Sequence, residues 1–258
     1  MSRGSACQRV AHVWRHADPE LQPYVAEPKE GSSTRRFRHR SFDIFIEARI
    51  GGVENQHTKG VPVRKLLVSE FVTLDGVMQA PGGKDEDRDG GFEYGGWTWP
   101  YWHDDMGRNF FELMQDVDAL LLGRRTYVIH AEAFEPMPPG NPFGDLMNAP
   151  RKYVVSKTLQ RPIWRDTTII RENVIESVRT LKAEPGRTIV TDGSSQLVHA
   201  LLAHDLVDEL HLLVYPLTLG SGKRALPDGV HATFALESAT PYPTGVVGLH
   251  YVRQQAAA

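Results

Sequence analysis

The sequence predicts an α/β fold over residues 64–255: a mainly parallel central sheet, helices on both of its faces, and a C-terminal antiparallel hairpin. Three observations carry this expectation. Apolar runs of strand length recur along the stretch, and segments with apolar residues at helical spacing separate them. The last two strand-like segments follow one another with no helix between, which suits a hairpin.

Each element has its own signal. Lys65 to Val72 is an almost wholly apolar run, as a strand covered on both faces requires, and Thr73-Leu74-Asp75-Gly76 closes it with turn chemistry. A long loop rich in Gly, Asp and Trp runs to Pro100. His103 to Gln115 follows as a helix, with Phe110, Phe111 and Met114 at helical spacing. Asp118 to Leu122 is a second buried strand ending at Gly123. Arg124 to Phe134 reads as a helix that Pro136, Pro138, Pro139 and Pro142 bring to an end. Tyr153 to Ser156 and Thr167 to Ile170 are strands, and Asn173 to Ala183 is a helix with Val174, Val178 and Leu181 on one face. Thr188 to Thr191 is a strand, Asp192 to Ser195 a turn, and Gln196 to Ala203 a helix. Asp208 to Tyr215 is a further strand. Thr233 to Ala239 with Val246 to Arg253 forms the hairpin.

Residues 1–63 are different. Pro19, Pro23, Pro28 and Pro62 interrupt them, and only Phe42 to Ile46 alternates like a strand. The expectation is a poorly ordered extension. Its basic cluster, Arg35 to Arg40, is diluted by Asp18, Glu20, Glu27 and Glu30, which argues against a targeting arm or a nucleic-acid arm. The formal net charge of -3 gives no electrostatic case for nucleic acid or an anionic membrane. No apolar run approaches the roughly 20 residues of a membrane span, and no secretion signal is evident, so a cytoplasmic location is expected. Cys7 is the sole cysteine, which excludes an internal disulfide and a cysteine-rich zinc site.

Several known motifs fail on inspection. No G-x-G-x-x-G follows a strand. Gly220-Ser221-Gly222-Lys223-Arg224 is no phosphate-binding P-loop, because Leu217 stands where its first Gly belongs and Arg224 where Ser or Thr belongs. His130-Ala131-Glu132 matches the H-x-E of zinc deaminases, yet the P-C-x-x-C partner cannot exist here. His103-Asp104-Asp105 fits a solvated helix start better than a metal site, since acids there complement the helix dipole. No metal is expected.

Three strand-to-helix junctions point to one anionic ligand. Gly123-Arg124-Arg125-Thr126 offers free N–H groups beside two guanidinium groups. Ser156-Lys157 adds a hydroxyl and a cation at a strand end. Asp192-Gly193-Ser194-Ser195-Gln196 allows close backbone approach before a helix. In open α/β sheets ligands bind at the carboxyl ends of strands, so the three junctions together suit a pyrophosphate and a further phosphate. The aromatic loop, with Trp97 and Trp102 foremost, suits a flat heterocycle, although packing over the core is the commoner role of a Trp.

With these residues in view, the stretch from about Lys65 to Arg253 resembles the dihydrofolate reductase-like family, in particular the reductase domain of the bifunctional riboflavin-biosynthesis deaminase-reductases, the RibD C-terminal type. The resemblance rests on Thr73-Leu74-Asp75-Gly76, Ala119 to Tyr127, Tyr153 to Lys157, Asp192 to Leu197, Leu206 to Leu210 and Pro216 to Arg224, in the family's order. It implies a dihydrofolate reductase-like three-layer fold and NADPH as cofactor. Gly123, Arg124, Arg125, Thr126, Ser156 and Lys157 would hold the adenosine-side phosphates. Gly193, Ser194, Ser195 and Gln196 would hold the pyrophosphate, with Gly-Ser where many relatives have Gly-Gly. The loop from Asp75 to Trp102 would border the nicotinamide and the substrate. Family members carry a carboxylate at the following helix, and Asp104 or Asp105 falls near that position without a unique alignment. Asp75, Asp104 and Asp105 are therefore the candidates for handling the proton.

The reading is an NADPH-dependent reductase of a small heterocycle, of pteridine or ribosylated aminopyrimidine type, with riboflavin biosynthesis as one setting. The other reading is an NADP(H)-binding protein of the same fold without turnover. The partner expected is a small-molecule substrate, with a homodimer left open and neither nucleic acid nor membrane involved.

Overall fold

The computed structural model describes residues 64–254. The expected extension over residues 1–63, its Phe42 to Ile46 strand and its basic cluster lie outside the described residues, as does residue 255.

The strands are β1 (Leu66–Thr73), β2 (Val117–Gly123), β3 (Arg151–Val155), β4 (Thr167–Ile170), β5 (Thr188–Asp192), β6 (Glu209–Tyr215), β7 (Phe234–Pro241) and β8 (Val247–Arg253). The helices are α1 (Asp104–Gln115), α2 (Arg124–Phe134), α3 (Pro142–Asn148), α4 (Val174–Ala183) and α5 (Ser195–Ala203). The eight strands form one sheet in the order β4-β3-β2-β5-β1-β6-β8-β7. Neighbours from β4 to β6 pair in parallel, and β8 runs antiparallel to both β6 and β7. This is the mainly parallel sheet with a C-terminal antiparallel pair that the sequence predicts.

The central strands are apolar on both faces because both faces are covered. Side chains alternate across a strand. Leu66, Val68, Ala119, Leu121 and Ile189 therefore pack on one side with Val178 and Leu181 of α4 and Val198 and Leu201 of α5. Leu67, Leu120, Leu122 and Val190 pack on the other with Met114 of α1, Tyr127 and Phe134 of α2, and Phe143 and Met147 of α3. Fully burying one such side chain stabilises by about 1.5–3 kcal/mol, so these two layers are the main favourable term of the fold. A third cluster packs the long loop onto the sheet: Val77, Phe92 and Trp97 against Met106 of α1, Leu213 and Tyr215 of β6, and Tyr242.

One element corrects the sequence reading. The prolines after α2 were expected to leave only a connection up to β3. Pro142 instead starts α3, where its missing N–H costs nothing. Asn141 caps that helix by accepting from the Gly144 N–H at 2.8 Å.

Candidate active site

The chain leaves β1 for α1 on one face of the sheet and leaves β5 for α5 on the other. The carboxyl ends of these adjacent strands therefore flank a change of face, the place where ligands of open α/β sheets bind in a cleft. The ends of β2 and β3 lie along the same edge.

Two of the three predicted junctions meet in this cleft. The Gly123 N–H donates to Ser194 Oγ at 2.8 Å, and Ser194 Oγ donates to Thr126 Oγ1 at 3.1 Å. Gly193 has a φ of +64°, and a Cβ there would stand 2.9 Å from Thr126 Oγ1. The turn after β5 is thus seated on the turn after β2, and only glycine fits the contact. Neither α2 nor α5 has a side-chain cap on its N-terminus. The first-turn N–H groups of both helices, Ser195 and Gln196 among them, accordingly face the strand-end edge. The third junction sits beside them, since Val155 pairs with Gly123. Ser156 is buried, and its Oγ accepts from the Thr158 and Leu159 N–H groups at 3.2 and 2.9 Å, so it shapes the turn that exposes Lys157.

The cations divide. Arg124 and Lys157 are exposed and make no ion pair among the described residues. Arg125 pairs with Asp87 and Asp89 of the long loop, and Lys223 pairs with the same two carboxylates. Asp89 is held at about 2, chiefly by the Arg125 side-chain hydrogen bond and then by that of Lys223. Uncapped helix starts beside free cations fit a phosphorylated dinucleotide by donor chemistry, and no acidic side chain pairs with Arg124 or Lys157.

The three candidate carboxylates lie apart in their contacts. Asp75 accepts from Thr73 Oγ1 at 2.5 Å, from the Leu219 N–H at 3.2 Å and from the Gly220 N–H at 2.7 Å. Those bonds, the Thr73 hydroxyl first, hold its carboxyl below the usual range. It anchors the loop after β6, as the turn reading of Asp-Gly allows. Asp105 pairs with Arg108 and with His103, whose Nδ1 caps α1 by accepting from the Asp105 N–H at 3.3 Å. Asp104 is exposed in the first turn of the same helix.

The aromatic loop also sorts itself. Trp97 is 6% exposed, its Nε1 donates to the Gln79 carbonyl at 2.8 Å, and its ring meets Tyr215 edge-on at 5.1 Å. That packing seats Trp97 in the cluster that holds the long loop on the sheet. Trp102 is half-buried and lies against Gly107 of α1, where a Cβ would meet its ring at 3.3 Å.

Four groups gather at the end of β5: Asp192, which the sequence reading placed in the third junction without a role of its own, and His130, Glu86 and Glu70, which it left aside as site residues. His130 of α2 places Nε2 2.9 Å from Asp192 Oδ2 at the end of β5. Glu86 of the long loop accepts from the Gly82 and Gly83 N–H groups at 2.7 and 2.9 Å. Burial raises its carboxyl, with His130 and Asp192 close enough to act on it in opposite senses. Glu70 of β1 is 4% exposed, its Oε1 has no partner, and burial followed by the Asp192 charge pushes it well above the usual range. Glu70 was visible in the sequence as the one acid inside an apolar strand. His130 was seen only as half of a failed zinc motif.

No helix among the described residues is long and apolar enough to cross a membrane, and no group of three or more His, Cys, Asp or Glu among them could hold a metal ion. Residues 64–247 match the family model described as the RibD C-terminal domain. YyaP of Bacillus subtilis (strain 168), described as uncharacterized, is 27% identical over 202 residues, which is 75% of this chain and 97% of that protein. Among solved structures, a pyrimidine reductase-like protein from Corynebacterium diphtheriae superposes with a TM-score of 0.54 at 13% identity, covering 75% of this chain and 93% of that one. The diaminohydroxyphosphoribosylaminopyrimidine deaminase/5-amino-6-(5-phosphoribosylamino)uracil reductase of Thermotoga maritima gives 0.51 at 14% identity, covering 74% of this chain and 57% of that one. At these identities the two structures speak for the fold.

Proposed function

The chain belongs to the RibD C-terminal domain family, whose members of this type are oxidoreductases, and from that premise we propose that it is an NADPH-dependent reductase of a small heterocycle. The observation that carries the reading is the seating of Gly193-Ser194 on Gly123 and Thr126, which brings two uncapped helix N-termini to one strand-end cleft. The first-turn N–H groups of α5 would receive the pyrophosphate, and those of α2 with Arg124 and Lys157 the further phosphate. Gly193 lets the ligand approach the backbone. When bound, NADPH supplies the hydride; the chain's part is to orient it, exclude water and control one proton. Trp102 and α1 would border the acceptor, a pteridine or a ribosylated aminopyrimidine.

The experiment is isothermal calorimetry of NADPH and NADH on the wild type and on Arg124→Ala and Lys157→Ala. Each charge-assisted phosphate contact is worth about 1.5–3 kcal/mol, so each variant should weaken NADPH by roughly tenfold or more and NADH much less. Equal affinity of the wild type for both dinucleotides overturns the assignment of a phosphate site. NADPH oxidation over dihydrofolate, dihydrobiopterin and 5-amino-6-(5-phosphoribosylamino)uracil then identifies the acceptor class. Binding of NADPH without oxidation over that panel would favour the non-catalytic reading.

A further inference from the structure

Reduction of a heterocycle consumes a proton as well as a hydride, and the three aspartates predicted for that task are engaged elsewhere or exposed. We propose that His130, oriented by Asp192 and backed by Glu86 and Glu70, delivers the proton to the acceptor; the proposal rests on the reductase reading above.

The geometry supplies each part. His130 sits two turns into α2, on the helix whose first turn faces the cleft. Asp192 is the last residue of β5, directly before the Gly193-Ser194 turn. Their 2.9 Å contact uses Nε2 and leaves Nδ1 without a hydrogen-bond partner among the described residues. A carboxylate on Nε2 orients the ring, and in the imidazolium form the other nitrogen carries the transferable proton. The edges of Phe134 and Trp164 hold the ring from the apolar side, with centroids 5.6 and 6.4 Å away. The His130 and Asp192 side chains are 18% and 37% exposed, while Glu70 beside them is buried, its Oε1 a fully enclosed oxygen with nothing to bond. Asp192 lies close enough to raise both carboxyls, which gathers groups from β1, the long loop, α2 and β5 around the end of β5. A buried acid with a vacant oxygen beside that set is out of place in a purely structural strand, where an apolar residue would cost less.

The step balances. The acceptor's C=N carbon gains the hydride, its nitrogen takes the proton from Nδ1, and one C–H and one N–H bond replace the π bond. The hydride is the one that bound NADPH would supply, so no other reductant is needed. The neutral imidazole, still held by Asp192, regains its proton from water.

The test uses the full chain with NADPH and, as acceptor probes, dihydrofolate, dihydrobiopterin and 5-amino-6-(5-phosphoribosylamino)uracil. His130→Asn should bind NADPH within about threefold of the wild type, retain its melting temperature, and lose about 10²-fold or more in kcat. Asp192→Asn should lose about tenfold or more, because the ring is no longer held. The pH–rate profile of His130→Asn should differ in shape from that of the wild type. Free imidazole should restore His130→Ala at least about tenfold, which a structural role would not produce. Wild-type turnover matched by His130→Asn, with the same pH profile, overturns the proposal. Binding of NADPH with no wild-type turnover on any probe overturns the reductase reading and this proposal with it.

Discussion

At Gly193 the positive φ and the 2.9 Å that would separate a Cβ from Thr126 Oγ1 make one prediction. Gly193→Ala must move either the turn or Thr126, and the left-handed conformation alone costs a non-glycine residue about 1–2 kcal/mol. NADPH affinity should fall by about tenfold or more, measured by calorimetry, with a lower melting temperature. Ser194→Ala removes the acceptor of the Gly123 N–H and the partner of Thr126. Leaving that N–H unsatisfied should cost about 1–3 kcal/mol in denaturant unfolding. These residues were legible in the sequence because strand-Gly-helix junctions are local patterns. Ser156 and Asp75 were legible as junction residues, while their roles were not: which neighbour takes a hydroxyl or a carboxylate is decided by turns, and for Asp75 by a loop some 145 positions away. The grouping of Asp192 with His130, Glu86 and Glu70 was not legible, since no spacing in the chain unites four separate segments.

Among the elements, the long loop between β1 and α1 is held in two ways. Phe92 and Trp97 bury it beside Tyr215, and the Asp87 and Asp89 carboxylates tie it to Arg125 of α2 and to Lys223. The first is apolar packing. The second is partly exposed, at Arg125 and Asp89 most of all, so it adds little to global stability and is weakened by salt. Asp87→Asn with Asp89→Asn should therefore leave the melting temperature nearly unchanged and speed tryptic cleavage at Lys84 and Arg88 several-fold. High salt should do the same to the wild type, and unchanged cleavage would show that packing alone holds the loop. Acid should act similarly: the Asp89 carboxyl is depressed, so its contribution is present above its ordinary 3.8 and is lost as pH falls toward about 2. Strand and helix positions were readable from periodicity within a residue or two. The short helix α3 was not, because a cluster of prolines reads as a stop and only an Asn cap beside Pro142 marks a restart.

For the whole molecule, His211 is a group of the sheet that couples folding to acid. His211 of β6 is largely buried, its Nδ1 has no partner, and its pKa is lowered to about 4 by desolvation first and by His250 second. The unfolded chain binds that proton near 6.5, so between about 6.5 and 4 the unfolded state holds more protons and stability falls as pH falls. The effect is on the order of 1–3 kcal/mol, and His211→Leu should flatten that part of the stability-pH curve in denaturant titrations. We further propose that residues 1–63 are dispensable for the domain, so that a chain beginning at Val63 should keep its melting temperature and NADPH affinity; unfolding on truncation would refute this. The fold class was readable because both faces of the central strands must be apolar, a whole-chain signal, whereas the identity of the acceptor is written only in a cleft assembled from distant segments. The most direct test of the central claim is calorimetry of NADPH on the full chain, wild type against Lys157→Ala and Gly193→Ala. Saturable one-to-one binding that prefers NADPH over NADH, weakened about tenfold or more in both variants, is the predicted result; no heat of binding, or binding indifferent to both substitutions, would contradict it.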